Sequence, residues 1–530
     1  MKAVLVNIYP RETVARNLLS CYVLKAYLDK YWEVNNLDVE VLNFSEKIQI
    51  EELSKKLIER KADLIGYSGY IWNIEKILGV IKIIKGKKEG IIHVLGGPEI
   101  STQRILSMPR SLSADFYIVG EGEKKLLNLI NYIHSRKKGS NIELPRGVAY
   151  WEKDNLKYCE EGCADNIEDL DEIPSVYISK TIDDNLYERQ QVFLETQRGC
   201  KYKCKYCVYH KFLSSIKYYS KERVMQELDR LIIDKQVAAL RITDAIFTSD
   251  LERTKEIVKH LLELKQKGGV RLPWIYWEFD YNSVDEEFIR LTASLKYREK
   301  ILNTNELLPL DRAQLYSDML KDYTVINSIG IESFCERALR AVGRRRIDLK
   351  KFDIFMKTVN AYNIVVKMDL ILGLPFETLE SYFEGLELIL PYFRNTDHVL
   401  NIHLLQVLPG SELEELSGEY KIKYSQRAPH TVFSTNSLTE EDINLALKLS
   451  AVLSRVVNSP LRSLFFEAWK SSGKNLTAMI ERIYGEICAS QKFDTTPLVQ
   501  TKILYDSYWN DLIYQDIPSE FIDNLLKSYC

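Results

Sequence analysis

No stretch of the 530-residue sequence approaches the ~20 consecutive apolar residues that a helix needs to cross a bilayer, so no membrane span is expected. An excess of charge is missing too. The 72 basic and 75 acidic side chains leave a formal net charge of -3, which offers no general attraction to nucleic acid or to an anionic membrane. Cysteine is scarce, nine in all, and outside one loop the thiols are scattered, as suits a reducing, cytoplasmic compartment. The first residues, MKAVLVNIYPRE, have only a very short apolar run and read as a first strand rather than a signal peptide. No GxGxxG fingerprint follows that strand, which disfavours a dinucleotide there. What remains is an ordinary globular balance, 46% hydrophobic and 28% charged. At about 150 residues per domain, the length predicts three or four domains.

The most specific stretch is GCKYKCKYCVYH, from Gly199 to His210. Its thiols, Cys200, Cys204 and Cys207, are spaced C-x3-C-x2-C. A run of β-formers, Val192 to Thr196, leads in, and Arg198–Gly199 ends it. The three thiols therefore sit on a tight loop at the end of a strand, where they can converge on one soft metal centre. An iron–sulfur cluster is the usual occupant of such a loop. Three ligands leave one iron of a four-iron cube open, a place for a substrate or cofactor to chelate. The alternative is a zinc site with His210 as fourth ligand, although zinc favours paired C-x2-C units and no second pair is present. A disulfide fits less well, because three near-adjacent thiols do not pair off cleanly.

From residue 1 to 136, strand and helix patterns alternate. Ala3–Ile8, Asp38–Phe44, Ala62–Tyr70, Ile91–Glu99 and Asp115–Glu123 read as strands. Such βα units predict a doubly wound parallel sheet whose ligand site lies beyond the strand carboxyl ends. Tyr9, Ser68, Tyr70, Gly96, Gly97, Pro98, Glu121 and Gly122 fall on that edge. Glycines there let backbone approach a flat or phosphate-bearing ligand, though each taken singly also reads as a turn glycine. Residues 137–190 read as a connector, with a hairpin around Lys153–Asp154–Asn155 and an acidic stretch ending at a proline. Within it, Cys159 and Cys163 read as free surface thiols, a second metal site being the alternative.

Residues 191–429 repeat the βα pattern. After the cysteine strand come Ala238–Phe247, Trp274–Asp280, Thr324–Ser333, Val365–Pro375 and His398–Gly410. Six strands are the count of a partial (β/α)6 barrel, whose chemistry gathers at the strand carboxyl ends. Thr243, Asp244, Glu278, Glu332, Ser333 and Gly373 stand there, although each alone also reads as a solvated loop residue or a helix cap. Residues 293–322 are long for a connection. They read as a lid, a recognition insert, or another source of the third strand, which would put Glu278 in doubt. Cys335 reads as a small hydrophobe at a helix start, or as a hydrogen-atom donor near the barrel mouth. Residues 430–530 read as a helical domain suited to closing that mouth, opening with the capping pattern Ser437-x-x-Glu440.

With Tyr206 before its last cysteine, the C-x3-C-x2-C loop resembles the signature of the radical S-adenosylmethionine (SAM) enzymes. In that family three cysteines hold a four-iron–four-sulfur (4Fe-4S) cluster. S-adenosyl-L-methionine chelates the fourth iron, and one electron cleaves it to a 5′-deoxyadenosyl radical. The likeness spans roughly Val192 to Leu413. ITDAIF stands where the family binds the methionine amino group, and GIES, DLILGLPFET and QVLPGSEL match its later motifs. It implies SAM contacts at Tyr206, Thr243, Asp244, Glu278, Glu332, Ser333 and Gly373. Upstream, ADLIGYSGYIWN and VLGGPE resemble the cobalamin-binding domain of one large radical SAM subfamily. Other cobalamin proteins ligate cobalt through the histidine of DxHxxG. That motif is absent and no histidine precedes His93, so the resemblance implies cobalamin without a protein imidazole on cobalt. Tyr70 and Trp72 are candidates to cover its lower face, or else core aromatics.

Together these resemblances imply an enzyme that C-methylates an unactivated carbon of a peptide or small natural-product substrate. The alternatives are a cyclase or ring-rearranging enzyme with the same cofactors, and a sensor without turnover. A methylthio-transferase would carry three further N-terminal cysteines, and only Cys21 is there. An electron donor such as flavodoxin or ferredoxin is the implied protein partner, and no nucleic acid is expected. No catalytic side chain is singled out.

Overall fold

The computed structural model describes residues 1–10, 18–34, 37–139, 143–158, 166–188, 190–211, 213, 215–295, 325–459 and 461–489. Cys159, Cys163 and nearly all of the long 293–322 segment lie outside the described residues, as does the end of the chain from 490 onward.

Strand β1 (Lys2–Tyr9) is apolar and buried along nearly its whole length, so both its faces must be covered. Helices α1 (Leu19–Tyr31), α2 (Ile50–Glu59), α3 (Ile74–Lys87) and α4 (Thr102–Ser107) alternate with β2 (Asp38–Ser45), β3 (Leu64–Ser68), β4 (Ile92–Gly96) and β5 (Phe116–Ile118), and α5 (Glu123–Lys137) follows. The five strands run parallel in the order β2-β1-β3-β4-β5, with one apolar core on each face. This is the doubly wound sheet expected. Its order switches direction at β1 and β3, where such sheets open a ligand crevice.

The connector does more than connect. Its hairpin, β6 (Val148–Glu152) and β7 (Asn155–Tyr158), adds two antiparallel strands to β5. β5 is only three residues long, and the hairpin covers what would be an open sheet edge. The acidic stretch that follows buries Ile167, Leu170, Ile173 and Tyr177 in the core of the second sheet, together with Tyr22, Val23 and Tyr27 of α1. The two halves therefore share one apolar seam.

The second sheet contains β8 (Gln191–Leu194), β11 (Ala239–Ile242), β12 (Trp274–Glu278), β13 (Val325–Glu332), β14 (Val366–Leu372) and β15 (Val399–Leu404), all parallel. β8 and β15 end the order unpaired with each other, so the barrel is partial. Two short strands, β9 (Gln197–Arg198) and β10 (Lys217–Tyr218), pair across the base of the cysteine loop. β12 pairs directly with β13, from Ile275↔Val325 to Glu278↔Ser328, so Trp274–Glu278 is the third strand and Glu278 stands at its end.

Helices α6 (Lys221–Asp229), α7 (Leu251–Gln266), α8 (Glu286–Ser294), α9 (Glu336–Ala341), α10 (Leu349–Ala361), α11 (Leu379–Ile389) and the short α12 (Glu412–Glu415) follow the strands. The chain then turns helical, with α13 (Glu440–Val457), α14 (Arg462–Ser472) and α15 (Leu476–Ala489). The cap of α13 differs from the sequence pattern. Thr439 and Asp442 form the capping box, because the Ser437 hydroxyl is engaged in donating to the Glu377 carbonyl at 2.8 Å. α13 packs into the same core as the barrel strands. Among the described residues, no helix is long and apolar enough to cross a membrane.

Candidate cofactor site

The carboxyl ends of both sheets open onto one cavity of about 1210 Å³. The first sheet contributes Ser68, Tyr70, Trp72, Gly96, Gly97, Pro98, Glu121 and Gly122. The second contributes Cys200, Cys204, Cys207, Tyr206, Thr243, Asp244, Glu278 and Glu332. Three residues expected at the site lie outside this lining. Tyr9 is buried at the end of β1. The Ser333 hydroxyl is turned inward, donating to Glu377 and accepting from the Cys335 N–H at 2.9 Å. Gly373 (φ +94°) packs beside Leu404, Leu405 and Ile443.

On the first edge, buried Asn73 fastens two strand ends. Its amide donates to the carbonyls of Ile8 (3.2 Å) and Ser68 (3.0 Å), and its oxygen accepts from the Tyr70 N–H at 2.8 Å. The Trp72 indole donates to the Ile8 carbonyl at 2.8 Å, leaving its ring stacked on Tyr70 with centroids 4.4 Å apart and planes 9° apart. Both rings line the cavity, where they form a flat wall. Gly97 has φ +106°, and a Cβ there would stand 2.5 Å from the Gly69 carbonyl oxygen. Only glycine lets these two loops meet so closely.

The cysteine loop is held from several sides. Arg198, just before it, reaches Glu121 (3.1 Å), Glu123 (2.7 Å) and Glu195 (3.0 Å), tying the first sheet's edge to the loop. Burial pushes the Glu121 carboxyl above its usual range. At Glu123 the same burial is outweighed by Arg198, which holds it below. Asp244 accepts from the N–H of Thr196 (2.8 Å), the N–H of Gln197 (3.1 Å) and the Thr196 hydroxyl (2.6 Å). Burial nevertheless pushes its pKa to about 7. Its oxygens are thus spent on β8's end, whereas the resemblance implied a SAM contact. The backbone of Lys205 meets Val342 (3.0 Å) and Leu413 (2.8 Å), anchoring the loop's middle.

The sulfurs themselves face N–H donors. Tyr202 N–H points to Cys200 (3.5 Å), Tyr209 N–H to Cys207 (3.4 Å), and the Arg344 guanidinium to Cys204 (3.6 Å). Burial pushes the Cys200 thiol up and that of Cys207 to about 11, so a metal must displace these protons. Arg344 also pairs with Glu332 at 3.3 Å, which sits at φ +66° beside an irregularity in the β13–β14 ladder. Among the described residues, no three His, Cys, Asp or Glu side chains are gathered tightly enough to hold a single ion. Three free thiols on one loop are the donor type that a soft, sulfur-ligated centre takes. The glycine edge and flat aromatic wall fit a large planar cofactor.

Sequence reasoning missed Arg198 and Arg344. Arg198 adjoins the loop, but its partners Glu121 and Glu123 lie 77 and 75 residues away. The basic run after Val342 was a visible but unspecific signal.

Comparison with known proteins agrees with this layout. Residues 18–130 match the B12 binding domain and residues 194–389 match the Radical SAM superfamily. The chain is 22% identical over 366 residues to the 2-(S-pantetheinyl)-carbapenam-3-carboxylate methyltransferase of Streptantibioticus cattleyicolor, covering 67% of this chain and 49% of that one. It is 23% identical over 374 residues to the cobalamin-dependent radical SAM methyltransferase TokK of Streptomyces tokunonensis, covering 69% and 49%. The chain thus spans about half the length of these two curated relatives. In fold it resembles OxsB, solved with aqua-cobalamin and S-adenosylmethionine (TM-score 0.60, 15% identity, 99% of this chain and 80% of that chain). It also resembles TsrM from Kitasatospora setae (TM-score 0.58, 15% identity, 81% and 76%). Both halves of the architecture meet in one chain around one cavity, and the chain carries a B12-binding domain and a radical SAM domain.

Proposed function

We propose that this protein is a cobalamin-dependent radical SAM methyltransferase acting on an unactivated carbon of a small natural-product or peptide substrate. One observation carries the reading: the three-cysteine loop and the glycine-lined sheet edge open onto the same cavity. When bound, the cluster with SAM supplies hydrogen-atom abstraction and cobalamin supplies the methyl group, chemistry that belongs to the cofactors. Cys200, Cys204 and Cys207 would hold the cluster, with N–H and guanidinium donors offsetting sulfur charge. Glu332 and Thr243 line the same cavity, where SAM would lie. Ser68, Gly96, Gly97 and Gly122 would receive the corrin, with Tyr70 and Trp72 as its flat neighbour. The Arg198 tie and the shared apolar seam keep the two edges face to face, so reacting groups meet with water held out. A reduced flavodoxin or ferredoxin would supply the electron.

The test is anaerobic. Reconstituted protein with reductant, SAM and cobalamin is expected to form 5′-deoxyadenosine, with about four irons per chain. Cys200→Ser should abolish both. Zinc alone, without iron or sulfide, overturns the reading. A product lacking the mass of an added methyl would point instead to ring formation.

A further inference from the structure

Most charged groups facing the cavity are already engaged. Arg198 has three carboxylates, Arg344 has Glu332, and Asp280 has Lys201 (2.9 Å) and the Tyr202 hydroxyl (2.5 Å). Arg241 on β11 and Glu278 on β12 are different. Both line the cavity, and their side chains keep 43% and 45% of their exposure. Their closest approach is 3.9 Å, beyond hydrogen-bond length. The Arg241 guanidinium lies over the Tyr276 ring, 4.6 Å from its centroid, and no described residue accepts a hydrogen bond from it. Glu278 accepts one long bond, 3.4 Å, from the Tyr276 hydroxyl. Nearby, Asp369 is saturated by Lys367 (3.0 Å), His403 (3.1 Å), Ser328 and Asn401. A guanidinium fork seated over an aromatic ring thus faces a half-exposed carboxylate across a gap.

We infer that Arg241 and Glu278 recognise a zwitterionic, amino-acid-type substrate, whose carboxylate takes the Arg241 fork and whose amine takes Glu278. This rests on the enzyme reading above and names its substrate class. It also moves Glu278 out of the SAM-binding set that the sequence resemblance implied. A guanidinium fork matches a carboxylate in two-point geometry, and its contact with the Tyr276 ring reduces the freedom it loses on binding. The loose pair it replaces contributes little by itself. Charge balance favours a zwitterion over other ligands. Arg241 and Lys367 already offset Glu278 and Asp369, so a phosphate would add uncompensated negative charge beside two carboxylates. An apolar ligand would strip water from Arg241 and Glu278 and give nothing in return.

The experiment is calorimetric titration of the reconstituted enzyme, loaded with SAM and cobalamin, with the twenty free L-amino acids. Any that bind are followed by their N-acetyl and methyl-ester derivatives. At least one free amino acid is expected to bind, with each blocked form at least ten-fold weaker. Arg241→Gln should weaken the free acid at least ten-fold and erase the difference between acid and ester. Glu278→Gln should erase the difference between amine and N-acetyl. Arg241→Lys, which keeps the charge and loses the fork, should recover part of the affinity. Absence of binding by the whole panel overturns the proposal. So does Arg241→Gln weakening SAM while sparing the amino acid, because the pair would then serve the methionyl end of SAM. Iron and sulfide are assayed on the same samples. A missing cluster sinks the enzyme reading, while the titration decides the substrate class.

Discussion

Arg198→Met tests whether the cysteine loop is held to the first sheet by charge. The substitution keeps the aliphatic stem and removes the guanidinium. Glu123 is 5% exposed, and Glu121 and Glu195 stand within 3.1 Å of the arginine, so three carboxylates lose their one shared cation in a nearly dry setting. Breaking a buried pair from one side costs about 3–5 kcal/mol, because the remaining charge stays buried. The loss should appear as a lower urea midpoint at pH 7, followed by tryptophan fluorescence at unchanged slope. The sign with pH is fixed. Glu123 sits below its usual pKa in the folded protein, so its stabilising effect is present at neutral pH and lost as pH falls through the carboxylate range. Without Arg198 the buried carboxylates favour protonation instead, so the gap between wild type and variant should narrow on acidification. Adding Glu123→Gln to Arg198→Met should restore part of the stability by removing one orphaned charge. A loss below about 1 kcal/mol, or no restoration in the double variant, would refute the reasoning.

Three further outcomes follow from the same geometry. Asp244 titrates near 7 in the fold against 3.8 ordinarily, so the native state binds the proton more tightly and stability falls as pH rises from about 4 to 7; Asp244→Asn should flatten that slope in urea titrations across the window. Gly97→Ala places a methyl 2.5 Å from the Gly69 carbonyl oxygen at a positive φ, so destabilisation of about 1–3 kcal/mol is expected in the same assay, with weaker cobalamin retention on gel filtration. Arg344→Met removes the cation beside Cys204 and the partner of Glu332, so iron loading at pH 7, measured after anaerobic reconstitution, should fall several-fold.

Apolar runs and cysteine spacing were legible in the sequence because both are local. β1 is a nearly continuous apolar stretch that only a covered parallel sheet can bury, β14 alternates buried Val366, Met368, Leu370 and Leu372 with partly buried Lys367, Asp369 and Ile371, and the six barrel strands pair in chain order. The hairpin β6–β7 was visible as a hairpin, but not its docking on β5, since pairing between distant strands leaves no local mark. Polar residues at strand ends were the hardest to place. Asp244, Ser333 and Glu278 share the same sequence context, the end of a barrel strand. Asp244 spends its oxygens on Thr196 and Gln197, Ser333 turns to Glu377, and Glu278 alone keeps an open carboxylate. Which way such a side chain turns depends on partners 44 to 48 residues away.

The manner in which the two sheets meet bears on the chemistry proposed. Apolar packing is placed at the seam, where α1 and the connector bury Tyr22, Tyr27 and Ile173, while the cavity rim is fastened by charge at Arg198 and Arg344. An apolar rim would close on itself, since non-directional burial favours collapse of any space it can fill. Directional ion pairs hold their partners at set distances, so they fix the rim and leave the interior open. The same bonds run from the rim to the cysteine loop: Arg198 adjoins Gly199–Cys200, and Arg344 touches Cys204. Movement of either sheet edge is therefore transmitted to the sulfurs through one or two bonds, which gives the loop a fixed distance to the opposite edge before any cofactor arrives.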